Sequence, residues 1–186
     1  MVFLDGDCIV FPDFISRHAA LAEVGYMVMG SRILCSAAFT SRIENNKLWP
    51  CTFKFKEWLR SLAKNDINRI FPLLKLPDGL WRKLRTKKWL GIRTFNLAVW
   101  KNDFYAVNGF DEQFEGWGHE DADLAIRLIN NSILRKDGQF ALPVLHLWHA
   151  ENDRSNEKEN KNYLASSINS RKIKAIKGII NSKVNK

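Results

Sequence analysis

The stretch Phe110-Asp-Glu-Gln-Phe-Glu-Gly-Trp-Gly-His-Glu-Asp-Ala-Asp123 gathers six carboxylates around a tryptophan held between two glycines. The apolar positions Leu124, Leu128 and Ile129 predict a helix over about 120–130, with Glu120, Asp121 and Asp123 on its first turn. Acids on a first turn complement the helix dipole and cap its free N–H groups, but one or two suffice for that. They do not explain Gly116-Trp117-Gly118. A Trp whose neighbours lack Cβ atoms can lie exposed beside the carboxylates. A flat apolar ring next to hydrogen-bonding acids is what a sugar ring requires.

The chain opens Met1-Val-Phe-Leu-Asp-Gly-Asp7, an apolar run predicted to be a buried strand over residues 1–4 that ends in two aspartates. Ligand sites of open α/β sheets lie at that strand edge. Two carboxylates there can hold a hard divalent cation, which in turn holds phosphate oxygens. Gly6 lets a ligand approach the backbone. Asp-Gly-Asp is equally ordinary turn chemistry. Near the other end, His146-Leu-Trp-His149 closes a strand expected over 141–148. Histidine is a common metal ligand. With a strand period of two, residues three apart cannot share a face. Either the strand ends between them or only one is a ligand.

Between these points the pattern predicts a helix from Pro12-Asp13 to about Glu23, a strand or strand pair over 25–35, and a loop over 40–51. Weak helices follow over 53–62 and 66–76, interrupted by Pro72 and Pro77. The basic stretch 80–93 fits helix or loop. A strand is expected over 94–100, a helical turn over 103–107 and a turn at Asp137-Gly138, with a charged loop over 151–159 and a basic amphipathic tail after it. This alternation of strands and helices indicates an α/β layer.

The 186 residues suit one domain with a real core. Net charge is +9, concentrated in residues 80–93 and 160–186, neither of which contains an acid. Those blocks suit a solvated face, an anionic lipid surface or a phosphorylated substrate. Cys8, Cys35 and Cys51 lack metal-ligand spacing and fit a reducing compartment. No run approaches a membrane span, and no signal peptide is seen, so a cytoplasmic protein is expected, resting at most on a membrane surface.

The Gly116-Trp-Gly-His-Glu-Asp-Ala-Asp123 segment, with Phe110-Asp-Glu before it, resembles the Gly-Trp-Gly-x-Glu-Asp-x-Asp motif of β-1,4-galactosyltransferases and related bacterial family 2 glycosyltransferases. Asn96-Leu-Ala-Val-Trp-Lys-Asn-Asp103 is similar to the segment preceding that motif in the bacterial enzymes. The resemblance implies a partial GT-A fold, Rossmann-like with a mixed sheet. It spans residues 1–155 as the C-terminal portion of the catalytic domain, with 156–186 a basic helical tail. A strand and helix with a nucleotide-binding signature precede this portion in the family and find no match here, so activity of this chain alone is in question. The implied reaction is inverting transfer from a nucleotide sugar, commonly a UDP-sugar, to a glycan or lipid-linked acceptor, with Mn2+ and secondarily Mg2+ as cofactor. Asp7 and His149 would then hold the metal, His146 would stand where the galactosyltransferases have a second protein ligand, and Asp5 would assist on the donor side. Asp121 would be the general base, with Glu120, Trp117 and Gly116 binding the acceptor.

Two other classes fit parts of the sequence. An apolar strand followed by Asp-x-Asp also opens haloacid-dehalogenase-like phosphohydrolases, with Asp121 and Asp123 as their late acidic pair. Gly116-Trp-Gly118 and the histidines would then have no role, and Cys8 and Ile9 replace an expected Gly and Thr. The charge also allows a basic nucleic-acid- or membrane-binding module, but no nucleic-acid motif is present and no nucleic-acid partner is expected.

Overall fold

In the computed structural model, which describes residues 1–46, 48–150 and 153–180, the described residues form seven short strands in two sheets, flanked by six α-helices. The first sheet runs β1 (Val2–Leu4), β5 (Asn96–Ala98), β3 (Tyr26–Met29), β6 (Leu134–Asp137). The second runs β2 (Cys8–Val10), β7 (Pro143–His146), β4 (Ser31–Leu34). Both are mixed. β5 is antiparallel to β1 and β3, β2 is antiparallel to β7, and β3/β6 and β4/β7 are parallel. The expected α/β class with mixed sheets therefore holds, and it is compatible with part of a Rossmann-like glycosyltransferase domain.

The chain passes from the first sheet to the second at Asp5-Gly6-Asp7, at Gly30 and through residues 138–142. At Gly30 the crossing is tight. A Cβ there would fall 2.1 Å from Nδ2 of Asn96. That amide is fully buried, donates to the Leu142 carbonyl at 2.8 Å and meets His18 Nε2 at 2.9 Å. The Gly30 and Ser31 N–H groups donate to the carbonyls of Asn96 and Leu142, so the two sheets are hydrogen-bonded together where they meet.

Helices α1 (Phe14–Leu21), α2 (Ala37–Asn46), α3 (Phe55–Ala63), α4 (Lys101–Ala106), α5 (Glu120–Asn130) and α6 (Glu157–Asn169) cover the sheets. Met27 and Met29 of β3 pack with Leu97 of β5 and Leu124 and Leu128 of α5, while Val28 joins Leu21 of α1 and Leu142. Both faces of β3 are thus buried, the alternation expected of a covered strand. On the second sheet, Ile33 and Leu145 pack against Phe39 and Ile43 of α2 and Trp58 of α3.

Several local expectations are corrected. β1 is not buried: it pairs only with β5, so Val2 and Leu4 stay exposed on an edge strand. Most of 40–51 is helix rather than loop. The Phe39 N–H donates to the Ser36 hydroxyl at 3.2 Å, and Phe39 and Ile43, four apart, both face the sheet. Residues 66–76 are not a helix: Ile67 bridges Cys35, and one 3-10 turn forms at Phe71–Leu73. β2 and β6 are strands that the sequence pattern does not predict. The 80–93 block is a 3-10 turn at Leu80–Lys83 followed by turns. Arg82 within it is fully buried, donating to the carbonyls of Leu76, Pro77, Asp137 and Gln139. Of the expected tail, residues 181–186 lie outside the described residues, and 156–180 pack against the rest of the chain. Leu164 of α6 docks on Ala122 and Ile126, the Ala175 N–H donates to the Val107 carbonyl, and Glu112 donates to Lys177.

Candidate active site

The Asp5-Gly6-Asp7 turn closes with a hydrogen bond from the Cys8 N–H to the Asp5 carbonyl at 3.1 Å. The Leu147 N–H donates to the Asp7 carbonyl at 2.9 Å, which fixes Asp7 beside the end of β7. β7 ends at His146, and the chain beyond it leaves the strand register. This resolves the spacing problem: both imidazoles face Asp7. His149 Nε2 lies 3.1 Å from Asp7 Oδ2, and His146 Nε2 lies 3.6 Å from Asp7 Oδ1. The Nδ1 of His146 is 3.0 Å from the Leu147 carbonyl, and that of His149 is 2.7 Å from the Ala150 carbonyl. A carbonyl only accepts, so each Nδ1 carries the proton and, in the neutral ring, each Nε2 presents a lone pair. Metal-binding histidines are oriented by this same outer hydrogen bond. Each oxygen of the Asp7 carboxylate therefore meets one imidazole nitrogen, a donor set whose chemistry fits a divalent cation.

Cys8 stands in the same cluster. Its Sγ is 3.9 Å from Asp7 Oδ1, and the ligand atoms of Asp7, Cys8 and His146 all lie within 4.8 Å of one another. Burial, with the Asp7 and Asp5 carboxylates adding to it, pushes the thiol up to about 12. Asp5 is exposed as a residue, although its carboxyl group is partly desolvated by neighbouring residues. Burial of its carboxyl group and the charges of Asp7 and Asp121 raise its pKa; His146 and Arg32 pull it down. Those influences place Asp121 and Arg32 within electrostatic reach of the turn.

The acidic Trp motif divides into two kinds of carboxylate. Asp121, on the first turn of α5, accepts at one oxygen, Oδ1, from the Thr94 N–H at 3.1 Å and from the Thr94 hydroxyl. Glu120 is partly buried, and one oxygen, Oε2, is shielded from solvent without a hydrogen-bond partner. Desolvation raises its pKa and Asp121 adds to this, while backbone N–H groups and Arg93 oppose it. Asp111 and Asp123 have closed partner sets instead. Asp123 pairs with Arg127 at 2.7 Å, both fully buried, and accepts from the Ser167 hydroxyl at 2.6 Å. Asp111 takes Lys172 at 2.6 Å and the N–H groups of Ile176, Lys177 and Gln113. Asp123 is therefore not available as the second carboxylate of a phosphohydrolase pair.

Trp117 is 37 % exposed, and the Arg154 guanidinium lies 4.4 Å from its ring centroid. The loop around it uses three left-handed residues in four: Gly116 (φ 70), Gly118 (φ 111) and His119 (φ 74). Helix α6 holds its main chain, with Asn160 donating to the carbonyls of Glu115 and Trp117 and Asn156 to that of Glu115. A Cβ on Gly116 would press on Asn156 at 3.2 Å. Sequence reasoning missed Cys8, Arg32, Thr94 and Arg93 as neighbours of the site. Only Cys8, adjacent to Asp7, carried a local signal.

Residues 83–137, which contain the whole acidic Trp motif, match the family described as the N-terminal domain of galactosyltransferase. The chain is related in part to glycosyltransferases. Validoxylamine A glucosyltransferase of Streptomyces hygroscopicus subsp. jinggangensis (strain 5008) is 50% identical over 40 residues, 22% of this chain and 10% of the relative. The protein of that name from subsp. limoneus matches at the same identity over 9% of its length. The chain thus spans about a tenth of the length of these relatives. Both likenesses are to glycosyltransferases, and both are partial.

Proposed function

We propose that this chain carries the metal-binding, diphosphate-binding and acceptor-binding side of an inverting, GT-A-type glycosyltransferase using a UDP-sugar. The observation that carries the reading is the approach of the His146 and His149 Nε2 atoms to the two oxygens of Asp7, at the end of the strand pair that carries Asp5-Gly6-Asp7. Asp7, His149 and His146 would hold Mn2+ or Mg2+, which when bound neutralises the diphosphate leaving group. Asp5 and the Arg32 guanidinium border that position on the donor side. Asp121 removes the proton from the acceptor hydroxyl. The hydroxyl oxygen then bonds to the anomeric carbon, and the bond from that carbon to the diphosphate oxygen breaks with its electron pair leaving on the diphosphate. Thr94 holds Asp121 Oδ1, and Oδ2 would be the oxygen that takes the proton. Glu120 borders the acceptor position beside Asp121, and Trp117 offers its ring to the sugar face.

The acceptor is a glycan or a lipid-linked sugar. For the lipid-linked case we assign membrane contact to the 80–93 block. Leu80 and Leu84 are 84% and 82% exposed, four residues apart, next to exposed Arg85, Lys87 and Lys88. Apolar groups flanked by cations suit an anionic bilayer surface. Among the described residues, no helix is long and apolar enough to cross a membrane.

The test is calorimetric titration of Mn2+, then of UDP with Mn2+ present, into wild type, Asp7→Ala, His149→Ala and Asp121→Asn. Mn2+ binding and Mn2+-dependent UDP binding are expected in wild type and Asp121→Asn and absent in the other two. Mn2+ binding unchanged by Asp7→Ala refutes the metal site. UDP binding indifferent to Mn2+ refutes the donor reading.

A further inference from the structure

We propose that Cys8 is a further metal ligand of this site, so that the cluster is a mixed carboxylate–imidazole–thiolate set that selects a thiophilic cation such as Zn2+ or Co2+ over Mn2+ and Mg2+. The proposal rests on the reading of Asp7 and His149 as ligands and extends it to the identity of the metal.

The argument is one of register. β2 and β7 pair antiparallel with Cys8 directly opposite His146. Directly opposed residues project side chains to the same face, with Cβ atoms about 4.5–5.5 Å apart. Cys8 Sγ and the His146 imidazole are thus neighbours by construction of the sheet rather than by chance rotamer choice. Asp7 precedes Cys8 in the tight turn, and its carboxylate folds back so that Oδ1 faces both Sγ, at 3.9 Å, and His146 Nε2, at 3.6 Å. The ligand atoms of Asp7, Cys8 and His146 lie within 4.8 Å of one another, and His149 Nε2 approaches the same carboxylate from its other oxygen. One sulfur, one nitrogen and one oxygen share a centre, and His149 Nε2, now on the far oxygen of Asp7, would have to swing in as the fourth donor that a tetrahedral zinc site uses. All three cysteines are free, so none is engaged in a disulfide. Hard carboxylate and carbonyl sets suit Mg2+ and Mn2+, whereas thiolate ligands select softer ions. Cys8 is only partly buried where it borders the core, so its sulfur is not sealed inside it.

The test is titration of Co2+ into the protein under reducing conditions, followed by near-ultraviolet and visible absorption, with Zn2+ and Mn2+ affinities measured by competition. Wild type is expected to show a thiolate-to-cobalt charge-transfer band that saturates with binding. Cys8→Ser loses the band, and Cys51→Ser keeps it. Zn2+ affinity should fall at least about tenfold in Cys8→Ser while Mn2+ affinity changes less than about threefold. If Cys8→Ser misfolds by circular dichroism, the band in wild type and its retention in Cys51→Ser and Cys35→Ser decide the matter. Saturable Co2+ binding that is lost in Asp7→Ala but shows no sulfur band overturns the role of Cys8 and leaves the metal site standing. Absence of saturable binding, or binding indifferent to Asp7→Ala, overturns both.

Discussion

Asp123 and Asp121 sit two residues apart in one motif, yet substituting them should have opposite consequences. Asp123 and Arg127 are both fully buried, joined at 2.7 Å, and Arg127 also donates to the carbonyls of Val107 and Gly109 at 2.8 and 2.7 Å. The other Asp123 oxygen accepts from Ser167 on α6. Asp123→Ala leaves a buried guanidinium without its counter-charge and Ser167 without its acceptor. Breaking such a pair from one side costs about 3–5 kcal/mol. For a domain of this size, each kcal/mol lowers the melting temperature by roughly 2–4 °C, so a drop of about 6–20 °C is expected. Asp121 is half-buried at the rim of the site, and Asp121→Asn retains the Thr94 contact; its cost should stay below about 1 kcal/mol while sugar transfer by the active enzyme is abolished. A double variant, Asp123→Ala with Arg127→Met, removes the stranded charge and should cost at least about 1 kcal/mol less than the sum of the single changes. The assay is urea unfolding at neutral pH followed by circular dichroism, with melting curves alongside. If Asp123→Ala unfolds within about 1 kcal/mol of wild type, or the two single changes simply add, the division of the motif into structural and reactive carboxylates is wrong.

Gly30→Ala places a methyl group on an Asn96 amide that is itself held by His18 and Leu142, so it should cost about 1–3 kcal/mol or more in urea unfolding; a cost below about 0.5 kcal/mol would mean that the sheet junction is soft. Asp111 is pushed up by burial, but Lys172 and the N–H groups of Ile176, Lys177 and Gln113 outweigh that and hold it below its ordinary 3.8. Its contribution is thus complete above 3.8 and lost as the pH falls through the lower folded value. Amide exchange at Ile176 and Lys177 should accelerate in acid in wild type and be already fast, with less acid dependence, in Asp111→Asn. Replacing Leu80 and Leu84 with Asp should abolish sedimentation with vesicles containing anionic lipid while leaving the melting temperature unchanged, because both side chains are exposed; undiminished sedimentation removes the membrane assignment.

What was legible in the sequence was the chemistry that depends on near neighbours. The α5 boundaries follow from the spacing of Leu124 and Leu128, and the Gly116-Trp-Gly118 turn follows from its two glycines. What was hidden depends on distant partners. β6 reads Leu-Arg-Lys-Asp, with no apolar alternation, because Lys136 is buried by pairing with Glu23 and Asp78, more than fifty residues away. The six acids of the motif look alike in the sequence, and only Lys172, Ser167 and Thr94 separate structural from reactive ones. β1 reads as a buried strand because its residues are apolar; its exposure is set by which neighbour it pairs with, which no local pattern encodes.

The closed partner sets of Asp111 and Asp123 have a mechanical consequence. The Gly116-Trp-Gly118 loop lies within the segment that matches the galactosyltransferase family, but much of what holds it lies outside, in residues 156–180. Asn160 is 1 % exposed and bonds the carbonyls of both Glu115 and Trp117, bracketing the loop whose left-handed residues place Trp117. Asn160→Ala leaves two carbonyls short of a buried donor, at about 1–3 kcal/mol. The loss falls on the loop, because the cluster of Asp7, His146 and His149 shares no element with α6. Trp117 emission and its quenching by acrylamide should therefore change and acceptor affinity weaken, while Co2+ and Mn2+ binding stay at wild-type strength. Equal loss of metal binding and loop order would show that the two halves of the site are one cooperative unit. An unchanged Trp117 environment would show that the glycines alone fix the loop and α6 is only its cover.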